Sequence, residues 1–357
     1  MSVKPVSVGV IGCGEIAQLM HLPFLHELPQ FRIGALCDIS SSLIDRLGRA
    51  YGVDALYTNY REMLADPEIE AVVICNNDHG PVVWDAVAAR KHFIVEKPVA
   101  FTLAETNGLV DAVAKAGIAA MVGYMKLFDP GYERGVKMIG QIGKPRSIRM
   151  HDFAGRFDRY GTLYTQFKAD DISTDVLAGS QAAIASKIKK AVTEERQGYE
   201  DMYFNILMLG SHDLAVLRGL LGSPTGVAYA RAVDREHVFA VLDYADGVPA
   251  MLEIAYGPQY EWWDEALEVR GERDEVRVEF QNPYLRHNSA DVYFRSSDEA
   301  WGGRGYIRGV PDTSFRRQWQ HFYEVIRNGV PVRSTLAGGI SDIEVAIEIV
   351  KVLPAMN

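Results

Sequence analysis

The chain has 357 residues, of which 48% are hydrophobic and 24% charged, with a mean hydropathy of −0.05; this balance is that of a globular protein long enough for two domains. A formal charge of −10 and a pI near 5.4 argue against nucleic acid or an anionic membrane as the main partner. With a strand-like run starting at Val6 and no apolar stretch near membrane-span length, neither an export signal nor a membrane anchor is expected, and the protein is read as cytoplasmic.

The first predicted element is Val6–Ile11, an apolar, β-branched run. It breaks into Gly12-Cys13-Gly14-Glu15-Ile16-Ala17 and then into a helical pattern. Strand, glycine turn and helix start together let a backbone approach a pyrophosphate, with the helix N-terminus offering N–H groups to the anion. Gly12, Cys13, Gly14, Glu15 and Ile16 are therefore cofactor-binding candidates. The next strand, Arg32–Asp38, ends on an acid about twenty residues past the turn, where a carboxylate can bind ribose hydroxyls and repel a 2′-phosphate. No arginine follows in Ile39-Ser40-Ser41-Ser42, so NAD is expected over NADP. The alternative is that Asp38 or Ser40 only caps the helix beginning near Ser41.

A helix over Leu43–Tyr51, a short strand near Leu56 and a helix ending at Asp66-Pro67 follow. Then come the apolar strand Ala71–Asn76, a helix over about Pro81–Ala89, the strand Phe93–Lys97, a helix over Leu103–Ala116 and the strand Ile118–Tyr124. Apolar strands alternating with amphipathic helices indicate a doubly wound parallel sheet covered on both faces. Asn76 and His79, after the fourth strand, could reach the nicotinamide end of a dinucleotide. Cys13, Cys37 and Cys75 lie at or just past strand ends and none forms a CxxC pair, which suits reduced thiols filling space near the cofactor.

From Pro145 onward, runs such as SIRMHDF, HVFAVLDYA, PAMLEIAY and EVRVEF alternate polar and apolar residues between turns, the signature of a large, mainly antiparallel open sheet. The fold class is thus α/β. A dinucleotide-binding Rossmann domain is expected over 1–124 and a substrate-binding and oligomerisation α/β domain over 125–357, with an insertion over about 155–199. That insertion reads either as a solvated surface segment or as a lid or oligomer arm. Helices over about Phe315–Asn328 and Ser341–Leu353 close the chain, and the last can pack back on the first domain.

Glu96-Lys97-Pro98 ends the fifth strand, at the carboxyl edge where doubly wound sheets bind ligands. An ammonium there can hydrogen-bond a substrate hydroxyl or carbonyl, and partial burial beside a cationic nicotinamide ring would ease loss of its proton. Lys126, after the sixth strand, and Arg156 with Tyr160, at the opening of the insertion, are further candidates for substrate hydroxyl or carboxyl groups. Tyr260, Glu261, Trp262 and Trp263 form a cluster suited to stacking on a sugar. No metal site is expected.

The glycine fingerprint, Glu96-Lys97-Pro98 and Gly210-Ser211-His212-Asp213, in that order, resemble the Gfo/Idh/MocA family of sugar and inositol oxidoreductases. Phe128-Asp129-Pro130 and Gly140-Gln141-Ile142-Gly143 resemble its passage into the second domain. The resemblance implies a homodimer or homotetramer in which Lys97 and His212 are the catalytic pair, both touching substrate, with Glu96 and Lys97 also beside the cofactor. Hydride would pass between NAD and a secondary carbon of a sugar, sugar derivative or cyclic polyol. Met208 stands where many members have an aspartate one helical turn before the histidine. Asn205 or Asp201, further back on the same face by 3.6-residue counting, could take over its hydrogen bond. Two rival readings use the same residues: an NAD-retaining lyase or glycosidase that oxidises its sugar transiently, and a non-catalytic NAD- or ligand-binding protein.

Overall fold

The computed structural model describes residues 4–155, 163–257, 261–297 and 302–355. They divide into two compact units, neither of them a single stretch of chain. One holds the described residues of Met1–Gly123, Gly161–Lys187 and Gln318–Ile340; the other holds those of Tyr124–Tyr160, Ile188–Arg317 and Ser341–Asn357.

The first unit is built on six parallel strands: β1 (Val6–Ile11), β2 (Phe31–Cys37), β3 (Leu56–Tyr57), β4 (Ala71–Ile74), β5 (His92–Val95) and β6 (Ala120–Val122). Their order is β3-β2-β1-β4-β5-β6. Every residue of β1 and β4 is buried, as an all-parallel sheet with both faces covered requires. The strand order reverses between β1 and β4, which creates the crevice where such sheets bind ligands. The helix expected over Leu103–Ala116 is two pieces, Leu103–Thr106 and Leu109–Ala116. The first opens on a capping box in which the Thr102 side chain and Glu105 answer each other's backbone N–H groups.

Residues of the insertion and of one terminal helix complete this unit. The helix Ser314–Asn328 contributes Trp319, fully buried and edge-on to His21 and Phe31 at ring-centroid distances of 5.7 and 5.1 Å. Ser334 accepts the N–H of Val122 on the outer strand β6. The last helix, Leu336–Val352, is divided between the units at Ile340. Gln318–Ile340 lies in the first unit, and Ser341–Asn357 lies in the second.

The second unit carries eight strands: β7 (Ser147–Ala154), β8 (Gly226–Ala232), β9 (His237–Asp243), β10 (Ala250–Tyr256), β11 (Asp264–Arg270), β12 (Asp274–Phe280), β13 (Asp291–Ser296) and β14 (Gly303–Ile307). They are ordered β14-β13-β12-β11-β7-β10-β9-β8, and only β7 and β10 pair in parallel. Strand β14 is missing from the predicted runs because glycines hold two of its five positions and erase the alternation. Its Gly305 instead makes room for the Phe294 ring, which would touch an added Cβ at 2.1 Å.

A helical run over Glu200–Leu221 packs on this sheet. Its most apolar window is 61% buried, and by length and composition alone it would pass for a membrane span. This corrects the expectation that no apolar stretch approaches that length. The apolar face exists to meet the sheet: a Cβ on Gly210 would lie 2.2 Å from the Ile254 side chain of β10.

Candidate active site

At the glycine turn, Gly12 has φ +83°, and a Cβ there would sit 2.5 Å from the backbone nitrogen of Asn76. Only glycine meets both conditions without strain. Gly14 is exposed with open space where a side chain would be, so its backbone is accessible to a phosphate. The Asp38 carboxylate accepts from the N–H of Cys13 (2.8 Å) and from that of Ser40 (3.0 Å), which ties the end of β2 to the turn after β1. Each carboxylate oxygen keeps acceptor capacity for a hydroxyl. Ser40, not Asp38, caps the following helix by accepting from the N–H of Leu43. Asn76 donates to the carbonyl of Asp78, while its amide oxygen is buried without a hydrogen-bond partner among the described residues. An open glycine backbone, a ribose-type carboxylate and an orphaned amide acceptor along one sheet edge fit a dinucleotide.

The three cysteines are thiols, with Cys13 and Cys37 buried. Burial pushes each of them up, Cys37 to about 12 with the Asp38 charge adding to the effect. They are neutral fillers beside the turn.

Past β5, Glu96 is buried with its carboxylate 2.9 Å from Nε2 of His21. Burial pushes the Glu96 carboxyl up, but the His21 hydrogen bond and the nearby His21, Lys97 and His79 charges outweigh this and hold it below its ordinary range. Lys97 is half-buried, and its peptide bond to Pro98 is cis. His79 begins the helix His79–Ala88 and donates from Nδ1 to the carbonyl of Pro98 (2.6 Å), pinning the turn that carries Lys97. Burial pushes the imidazole of His79 below its ordinary value, which favours the neutral ring.

The insertion docks on this same unit through residues the sequence reading did not single out. The Gln18 side chain donates to the carbonyls of Cys13 (2.8 Å) and Phe167 (3.0 Å) and accepts from the N–H of Phe167 (2.8 Å). Asp171 accepts from the hydroxyls of Ser40, Ser41 and Ser42 and from the N–H of Ser42, and Asp170 accepts from the Ser42 hydroxyl. The Ser40 hydroxyl first, then the Ser42 N–H, hold the Asp171 carboxyl far below the usual range, so it stays charged. Lys187 binds Asp78 and Glu105. Only a polar, Asp- and Lys-rich composition hinted at these contacts.

In the second unit, His212 is buried and stands edge-on to Tyr124, with ring centroids 6.4 Å apart. The Tyr124 hydroxyl donates to Asp342, which also pairs with Arg218, and the guanidinium lies 5.5 Å from the Tyr124 ring centre. Just before His212 the helix widens into a π turn over Ile206–Gly210, a feature often found beside functional groups. The wider turn rotates less per residue, so Asn205 no longer follows His212 by 3.6-residue counting. Asn205 is half-buried and Asp201 exposed. Met208 falls inside the π turn itself.

Lys126 is buried and places its ammonium on Glu265, with Asp152 at 3.7 Å. Carboxylate oxygens of Asp152, Asp213 and Glu265 lie within 4.8 Å of one another. Burial and the Asp152 charge push Asp213 well above the ordinary range. For Lys126, burial lowers the ammonium's pKa, but the carboxylates, Glu265 first, reverse that and raise it. The Lys126 ammonium is thus held in a buried cluster of carboxylates, because a lone ammonium could not be enclosed without such partners. Trp263 donates to Glu265, whereas Trp262 is 69% exposed. Arg156, Tyr160 and Tyr260 lie outside the described residues.

Residues 6–124 match the family model for an oxidoreductase family with an NAD-binding Rossmann fold. That model is of the Gfo/Idh/MocA oxidoreductases, and the match spans a third of the chain, within the first unit. Among proteins of that kind, the chain is 34% identical over 152 residues to the uncharacterised oxidoreductase YrbE of Bacillus subtilis (strain 168); the match covers 41% of this chain and 44% of YrbE. With the inositol 2-dehydrogenase of Burkholderia cenocepacia (strain HI2424) it shares 29% identity over 283 residues, 75% of this chain and 72% of the relative. A 3-ketoreductase from Actinomadura kijaniata, solved with NADP and TDP-benzene, has the same fold. Its TM-score is 0.72 at 18% identity, covering 98% of this chain and 97% of that one.

Proposed function

We propose that this chain is an NAD-dependent oxidoreductase acting on a secondary alcohol or ketone of a sugar, sugar derivative or cyclic polyol. The observation that carries the reading is the bridge from Asp38 to the Cys13 N–H. It sets an acid beside an open glycine turn where a ribose diol needs two acceptors, and it leaves a 2′-phosphate facing negative charge. The names of relatives, an inositol 2-dehydrogenase and an oxidoreductase, support the substrate class and reaction type. When bound, the nicotinamide supplies the hydride acceptor or donor.

In this proposal Lys97 holds and polarises the reacting oxygen, and His212 takes its proton during oxidation or returns it during reduction. Asn76, with its orphaned amide oxygen, orients the nicotinamide amide. Met208, an apolar side chain where many members carry an acid, narrows the choice of hydroxyl patterns. The test follows nicotinamide absorbance with purified protein, NAD or NADP, and a panel of inositols and sugars. Lys97→Met is expected to lower turnover by roughly 10²–10⁴-fold while NAD still binds. Undiminished turnover in that variant would overturn the role, and product formation without net NADH would point to transient oxidation instead.

A further inference from the structure

The three serines after β2 form a cradle of donors, and the chain fills it with its own anion. Ser41 Oγ and Ser42 N reach Asp171 at 2.9 and 3.0 Å, the Ser40 hydroxyl joins them, and Asp170 takes the Ser42 hydroxyl. Arg46, one turn into the helix, donates from Nε to the Ser42 carbonyl (3.1 Å) and sits 3.5 Å from Asp170. Hydroxyls, a helix-terminal N–H and a guanidinium are the donors that a phosphate monoester takes. Ser40 is also the residue whose N–H binds Asp38, the acid assigned to the ribose 2′-hydroxyl, so the cradle lies where a phosphate on that hydroxyl would extend.

We propose that Asp170 and Asp171, delivered by the insertion, are specificity-determining residues that exclude the 2′-phosphate of NADP by occupying its place with carboxylates. The proposal rests on the dinucleotide reading above. It assigns the discrimination to three acids from two distant segments rather than to Asp38 alone. Arg46, which would otherwise favour a 2′-phosphate, is engaged by Asp170 and by the carbonyl of Lys168. The selectivity is therefore a property of the docked insertion.

The test compares NAD and NADP dissociation constants by titration, without turnover, in the wild type and in the Asp170→Asn/Asp171→Asn double variant. Both aspartates are exposed, so the fold is not at stake. The double variant is expected to bind NADP at least roughly tenfold more tightly than the wild type, with NAD affinity within about threefold. Adding Arg46→Gln should abolish the gain, and added salt should shrink it. Unchanged NADP affinity in the double variant, with a gain only in Asp38→Ser, overturns the proposal and leaves the oxidoreductase reading standing. So does a wild type that already binds NADP as tightly as NAD. Binding of neither dinucleotide overturns both.

Discussion

Gly12 concentrates the requirements of the cofactor turn in one residue. Its backbone is left-handed, its missing Cβ faces the chain of Asn76, and its N–H is bound by the carbonyl of Cys37 (2.8 Å). A side chain there costs about 1–2 kcal/mol in conformation before any contact is considered, and the contact is with rigid backbone of the neighbouring strand end. Gly12→Ala should therefore lower Tm and weaken NAD binding more than roughly tenfold, because relief of the clash displaces Asn76. A titration showing wild-type affinity would mean that the turn is not the pyrophosphate site. The sequence pattern made this glycine legible. The identity of its neighbour was not, because β2, β3, β4 and the helices between them separate Asn76 from Gly12 along the chain.

At the scale of elements, the turn after β5 and the helix His79–Ala88 hold each other through one imidazole. His79 is buried, and desolvation holds its folded pKa below the ordinary 6.5; His92 on β5 is shifted the same way, again first by desolvation. Between the lowered folded value and 6.5 the unfolded chain binds more protons than the folded one, so stability rises with pH across that window and is lost as pH falls through it. Urea unfolding of the wild type should therefore show a lower midpoint at about pH 5.5 than at about pH 7. His79→Gln, which keeps a donor for the Pro98 carbonyl, should flatten that difference. An equal slope in both proteins would assign the acid sensitivity elsewhere. The π turn Ile206–Gly210 operates at the same scale. It breaks the helical spacing by which Asn205 and Asp201 were aligned with His212, and nothing in YEDMYFNILMLG announces it.

For the whole molecule, the chain crosses between its units more than once, so the first unit is not the product of residues 1–124 alone. Trp319 fills part of its core, and Ser334 accepts from the outer strand β6. Loss of a buried Trp side chain typically costs about 3–5 kcal/mol, and an uncovered edge strand invites association. Residues 1–124 expressed alone should aggregate or melt well below a fusion that adds 318–340 through a flexible linker. Equal cooperativity of the two in thermal unfolding would show that the returning segment is dispensable.

Both sheets except strand β14, and the glycine turn after β1, follow from local chemistry: β-branched runs, a period of two, and glycines where a backbone must approach an anion. Lys97 was visible because Pro98 marks the strand end beside it. Tertiary structure alone decided that Lys126 is enclosed by Asp152 and Glu265, that a terminal helix returns to the first unit, and that two aspartates of the insertion sit on the serines after β2. Apart from Lys126 and Asp152, these are contacts between residues more than a hundred positions apart, and no period or motif encodes them. They depend on which buried charge or aromatic finds a partner once the strands are in register.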